Sequence, residues 1–189
     1  LQRCRSLSGL ARWWLADLLL IYEPGDLLMD ALAQALLGTP LNNWVTSIYW
    51  LWPLMEIIHF IGLSLLLGAL IIIDLRLAGF FRQISIAATH KLLPWVFVGF
   101  GMNLITGCLF FAGDPLRYAA NIGFKIKMIL VLVAGLNALW YYWKIDKEMH
   151  SWDPHGDTPA LAKTIAFISL ISWTGVLLLG RLIPYIGTG

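Results

Sequence analysis

Charge is scarce in this chain: only 13% of its 189 residues are Asp, Glu, Lys or Arg. Soluble domains average about 25%, so the chain lacks the polar surface that a water-facing globule needs. The formal net charge of +2 is scattered, with no basic block interleaved with aromatics, which excludes a nucleic-acid surface. Cysteine is nearly absent: Cys108 lies in an apolar run and Cys4 in a polar stretch, so no disulfide is expected between them. The four histidines are dispersed, and no Ser/His/Asp or Cys/His set can be gathered at one depth. Nor does any glycine-rich loop look able to cradle phosphate. The protein is therefore not expected to be catalytic by itself. What is present is hydrophobic: 59% apolar residues, ten Trp and a mean hydropathy of +0.76 indicate a single compact, polytopic membrane domain.

Four apolar runs set the architecture. They cover about 54–73, 92–112, 124–143 and 161–183. At about 1.5 Å rise per residue, a run of some twenty residues crosses a hydrocarbon core of roughly 30 Å. The first is bounded by Asp74-Leu75-Arg76 and the second by Gly113-Asp114-Pro115, while Lys125, Lys127, Lys163 and Arg181 sit near the ends of the last two. Basic side chains so placed can snorkel to the headgroups. Trp50, Trp52, Trp95, Trp140, Trp143 and Trp152 cluster at the same boundaries, as aromatic belts do. Short connections predict an all-α, four-helix transmembrane bundle, up-down-up-down, over residues 51–189.

Residues 1–50 differ in character. Leu10 to Tyr22 is apolar but interrupted by Arg12 and Asp17, and is too short for a span. From Asp26 to Leu37, Asp26, Asp30 and Gln34 recur every four residues, which predicts an amphipathic helix lying in the interface before Gly38-Thr39-Pro40. The chain opens on Leu1 with no recognisable signal peptide, which leaves room for a missing or processed front piece.

The topology defines two membrane faces. Face A receives Arg76, Arg82, Lys91, Lys144, Lys147 and Lys163; face B receives Arg3, Arg5, Arg12, Arg117, Lys125, Lys127 and Arg181. This balance is nearly even, and the three bases of the Asp74–Lys91 connection favour face A as cytoplasmic.

His59 and Glu56 are the ionisable groups inside the first run, and such groups normally face a bundle interior and mark a site. His59 falls roughly 10 Å inside face B. Antiparallel neighbours at that depth would bring Asn103 and Thr106, Met128 and Val131, and Trp173 and Thr174. Lys125, Lys127 and Arg181 lie nearer the face, where they could pair with haem propionates or a lipid phosphate. His59 is thus a candidate axial ligand of haem b, with Gly62 leaving room for the macrocycle and Met128 opposite, or a residue lining a quinone site. His90 is about 24 Å away along the axis and cannot share an iron with it. Glu56 and His59, three apart, could instead begin a metal site, but the other spans hold no further acid or His in their cores, so only a soft ion such as Cu(I) would suit. Equally, His59 could donate to a hydroxyl or carbonyl and only fix packing, as Asn103, Asn137, Ser169 and Ser172 are expected to do, with Ala134 and Ala138 forming a close-approach seam.

Pro53, His59-x-x-Gly62, Asp74-Leu-Arg-Leu77 with Gly79, Pro94-Trp95, Phe124-x-x-x-Met128 with its paired lysines, Asn137 and Gly180-Arg181-x-Ile-Pro-Tyr185 together resemble a family of small bacterial four-helix membrane proteins. They are more distantly similar to copper-resistance type D membrane proteins, of whose membrane histidines only His59 has a counterpart. The resemblance covers about residues 26–186. It implies the fold and a bacterial inner-membrane location, and carries over no catalytic residue. The expectation is a membrane subunit of an electron-transfer or energy-conversion system, with haem b or quinone near His59. The alternatives are a cofactor-free accessory subunit packed on a larger membrane complex, or a copper-handling permease.

Overall fold

The computed structural model describes residues 24–145, 152 and 156–186. The Leu10–Tyr22 segment, His150 and His155 lie outside them. Every described element is helical. Two short helices, α1 (Pro24–Leu36) and α2 (Pro40–Ser47), precede four long ones: α3 (Leu51–Leu77), α5 (Leu93–Gly113), α7 (Ile122–Trp140) and α8 (Ala160–Leu182). Short helices α4 (Ile86–His90) and α6 (Pro115–Ala120) fill the first two connections, and α7 continues into a π-helical turn, Tyr141–Ile145. All four long helices are long and apolar enough to cross a membrane, so the chain is a multi-pass membrane protein. Leu27, Leu28 and Leu32 of α1 are exposed, as an interface-lying helix requires.

Local chemistry explains the starts. Thr39 caps α2 by accepting from Asn42 N at 3.2 Å, with Pro40 in the first turn, and Ser85 caps α4 in the same way through Ala88 N. The α3 helix does not stop at Asp74, as its polar exit suggested, but runs through Arg76 to Leu77, because both polar side chains find partners inside the protein. Gly79, at φ +98°, then turns the chain.

The packing order departs from the sequential one. The extensive contacts are α3 with α5, α8 with α7, and α8 with α3, giving the lateral order α5–α3–α8–α7. Consecutive helices α5 and α7 meet mainly through rings, Phe111 stacked on Phe124 at 5.6 Å. The deciding feature is backbone approach. On α3 the stripe Met55, Gly62, Leu66, Ala69, Ile73 and Leu77 is buried at helical spacing. At its middle a Cβ on Gly99 of α5 would stand 2.6 Å from Gly62 O and 2.6 Å from Leu66 N. Only paired glycines allow the helices to pass so closely, the small-residue packing by which membrane helices associate. Between α7 and α8 the tight positions are Gly175 against Leu130 and Gly180 against Lys127, and of the expected alanine seam only Ala134 is buried.

Polar clasps close both ends. At face A, Arg76 is fully buried and donates from Nε to Ile84 O at 2.7 Å and from a terminal nitrogen to Gly156 O at 3.2 Å, while Thr158 Oγ1 donates to Leu77 O at 2.6 Å. At face B, Asn42 Nδ2 donates to Ala112 O at 2.7 Å, joining α2 to the end of α5. Asn121 accepts Phe124 N at 3.0 Å, capping α7, and its Nδ2 donates to Ile183 O at 2.9 Å and to Ile186 O.

Candidate functional site

Two turns into α3 from face B, His59 lies partly buried with Nδ1 2.7 Å from Thr106 Oγ1 of α5. That hydroxyl is also 2.7 Å from its own helix's Met102 O. It has one proton, and a Thr hydroxyl in a helix ordinarily gives it to the preceding turn. On this assignment His59 Nδ1–H donates to Thr106, and the lone pair is on Nε2, which has no hydrogen-bond partner among the described residues. The Phe110 ring meets the imidazole edge-on at 5.6 Å and also packs on Trp52 at 5.2 Å. The ring is thus held in tautomer and orientation by α5.

The remaining predicted residues divide. Asn103 turns back to its own helix, donating to Gly99 O at 2.8 Å, and its amide also fills the space beside Gly62. Trp173 of α8 sits edge-to-face with Phe100 at 6.2 Å, linking α8 to α5. Glu56 is exposed and accepts from Trp52 Nε1 at 3.3 Å. Met128 is 46% exposed on α7, a helix packed chiefly on α8, and Arg181 is exposed. Lys125 is half-buried at the start of α7.

Sequence reasoning placed Lys127 near face B as a partner for haem propionates or a lipid phosphate. The structure turns it inward: its Nζ lies over Gly180 of α8, 3.2 Å from where a Cβ would stand. Among the described residues no carboxylate pairs with it. The glycine opposite the paired lysines, two positions before the end of α8, was the available signal. Phe110, too, was not anticipated, since an aromatic inside an apolar run reads as lipid-facing.

The residues fit haem poorly. The gap expected beside Gly62 is occupied by α5, with Met102 Cβ, Asn103 Nδ2 and Gly99 O within 3.0 Å of a Cβ built there, and Met128 is on a helix that does not pack along α3. A copper site starting from Glu56 and His59 also finds no support, because among the described residues no three His, Cys, Asp or Glu side chains cluster to hold a metal. What remains is an oriented imidazole whose Nε2 has no partner among the described residues, and an inward ammonium, both near face B. Such a pair can accept a hydrogen bond from a hydroxyl and donate one to a carbonyl or an anionic oxygen.

No known protein family, curated protein or solved structure matches this chain.

Proposed function

We propose that the protein is an integral subunit of an electron-transfer or energy-conversion system in a bacterial inner membrane, and that His59 and Lys127 line a quinone-head site near face B. The observation that supports this is the fixed imidazole, anchored through Nδ1 to Thr106, at the same end of the bundle as the Lys127 ammonium, which lies over Gly180 of α8 and pairs with no carboxylate among the described residues. Nε2 accepts a proton from a phenolic hydroxyl, and Lys127 donates to a carbonyl oxygen. Thr106 keeps the imidazole from turning away, and Phe110 bounds the ring on one edge. Quinone supplies two-electron chemistry when bound; the described residues supply no second redox group, so electrons would pass to or from a partner subunit.

Organic extraction of protein purified in mild detergent tests this. Near-stoichiometric quinone is expected in wild type and in Gly101→Ala, with at least tenfold less in His59→Ala and Lys127→Met. Equal quinone in all four, or none in wild type, overturns it.

A specific observation favours one other reading, an accessory subunit that binds no cofactor. Thr106 and the Gly62–Gly99 crossing already give His59 a packing role. Co-purification of a larger assembly without extractable quinone would support it.

A further inference from the structure

Asp74 lies about 22 Å along α3 from His59, at fifteen residues' distance, and plays no part in the site near face B. Only 4% of it is exposed. The Ser169 hydroxyl of α8 hydrogen-bonds to its carboxyl, and the second oxygen, Oδ2, is buried without a hydrogen-bond partner. Ser169 and Ser172, one turn apart on α8, are themselves 6% and 3% exposed.

Among the described residues no salt bridge to a basic group neutralises this carboxyl. Arg76 is two residues on, about 200° around the helix, with its guanidinium donating to Ile84 O and Gly156 O. Lys163 of α8 is bound to Asp157 at 2.9 Å. Lys91 and Lys144 are exposed, and His90 of α4 is half-buried. A carboxylate enclosed among membrane-spanning helices, with one oxygen unpartnered among the described residues, is strongly disfavoured, and intramembrane acids mark ion or proton sites. Carboxylate and hydroxyl oxygens suit a hard monovalent cation or a proton and offer nothing to a soft metal.

We infer that Asp74 and Ser169 form a binding site for one small cation, a proton or a sodium ion, at the face A end of the spanning helices. The site is independent of the quinone reading. Its occupant supplies the missing positive charge beside Oδ2, and Ser169 orients the carboxyl toward it.

Infrared difference spectroscopy of the purified full chain, recorded across pH with and without NaCl, tests the site. A carboxyl carbonyl band that responds to pH and is lost in Asp74→Asn identifies a proton; a band that NaCl displaces at fixed pH identifies sodium. Ser169→Ala is expected to shift the same band while retaining it. Helicity and thermal unfolding establish that each variant is folded. Should Asp74→Asn not fold, the test rests on Ser169→Ala, where an unshifted band overturns the inference. Wild-type and Asp74→Asn spectra that superimpose at every pH and salt concentration also overturn it.

Discussion

Thr106 Oγ1 stands 2.7 Å from His59 Nδ1 and 2.7 Å from Met102 O, so one hydroxyl links the imidazole of α3 to the backbone of α5. Because a hydroxyl has a single proton, the bond to Met102 decides which imidazole nitrogen is protonated. Nitrogen NMR of labelled histidine is expected to show His59 protonated at Nδ1, a preference that Thr106→Val abolishes and Thr106→Ser keeps. The same Val variant should lose about 0.6 kcal/mol of stability, the usual worth of such a contact between membrane helices. An unchanged tautomer in Thr106→Val would contradict the assignment.

The Gly62–Gly99 crossing makes a steric prediction. Gly99→Ala places a methyl 2.6 Å from two backbone atoms of α3, which cannot move aside as a flexible side chain would. The helices must separate, at a cost of about 1–3 kcal/mol. Gly101→Ala and Gly107→Ala, whose added methyls meet nothing within 4 Å, should instead be neutral or gain up to about 1 kcal/mol from helix propensity. Thermal unfolding in one detergent distinguishes these outcomes.

Asn121 is buried and bonded through both ends of its amide, capping α7 with Oδ1 and holding the end of α8 with Nδ2. Asn121→Ala should therefore cost about 1–3 kcal/mol, since it leaves buried carbonyls without a donor. Asn121→Asp keeps the cap acceptor and removes the donor. In hydrogen exchange both variants should loosen the end of α8, whereas only the Ala variant should loosen the first turn of α7.

At face A, Asp157 accepts from Lys163 and from Thr158 N and pairs with Arg82 at 3.3 Å. The Lys163 hydrogen bond, then the Thr158 amide, hold its carboxyl below the ordinary value of 3.8. A carboxyl lowered in the folded state stabilises the fold fully above its unfolded value, and that contribution fades as the pH drops through the folded one. Acid unfolding of wild type should thus show a step below about pH 4 that Asp157→Asn lacks. The pair is exposed, so the step should be small and should shrink in high salt.

Much of the plan was legible before any coordinates. Hydropathy located all four spans, and the regular run of Asp26, Asp30 and Gln34 located α1. Boundaries erred where polar residues were bonded inside the protein, as Arg76 is to Ile84 O and Gly156 O, so that α3 continued past an apparent stop. At the site, matching depth correctly paired His59 with Thr106, because both lie at similar distances from one membrane face. Depth carries no information about azimuth, and Met128 failed for that reason: its level is right, but its helix lies on the far side of α8.

Length and apolar composition by themselves determined that this chain forms four membrane-spanning helices, since a backbone in lipid must satisfy its hydrogen bonds internally. They could not determine which face of each helix turns inward. Lipid tails are as apolar as leucine, so burial against protein and exposure to lipid leave the same residues in the sequence. Only the tertiary structure decided that α3 lies between α5 and α8. It did so through the places where helices can approach most closely, Gly62 on Gly99 and the buried polar contacts of His59 and Asp74.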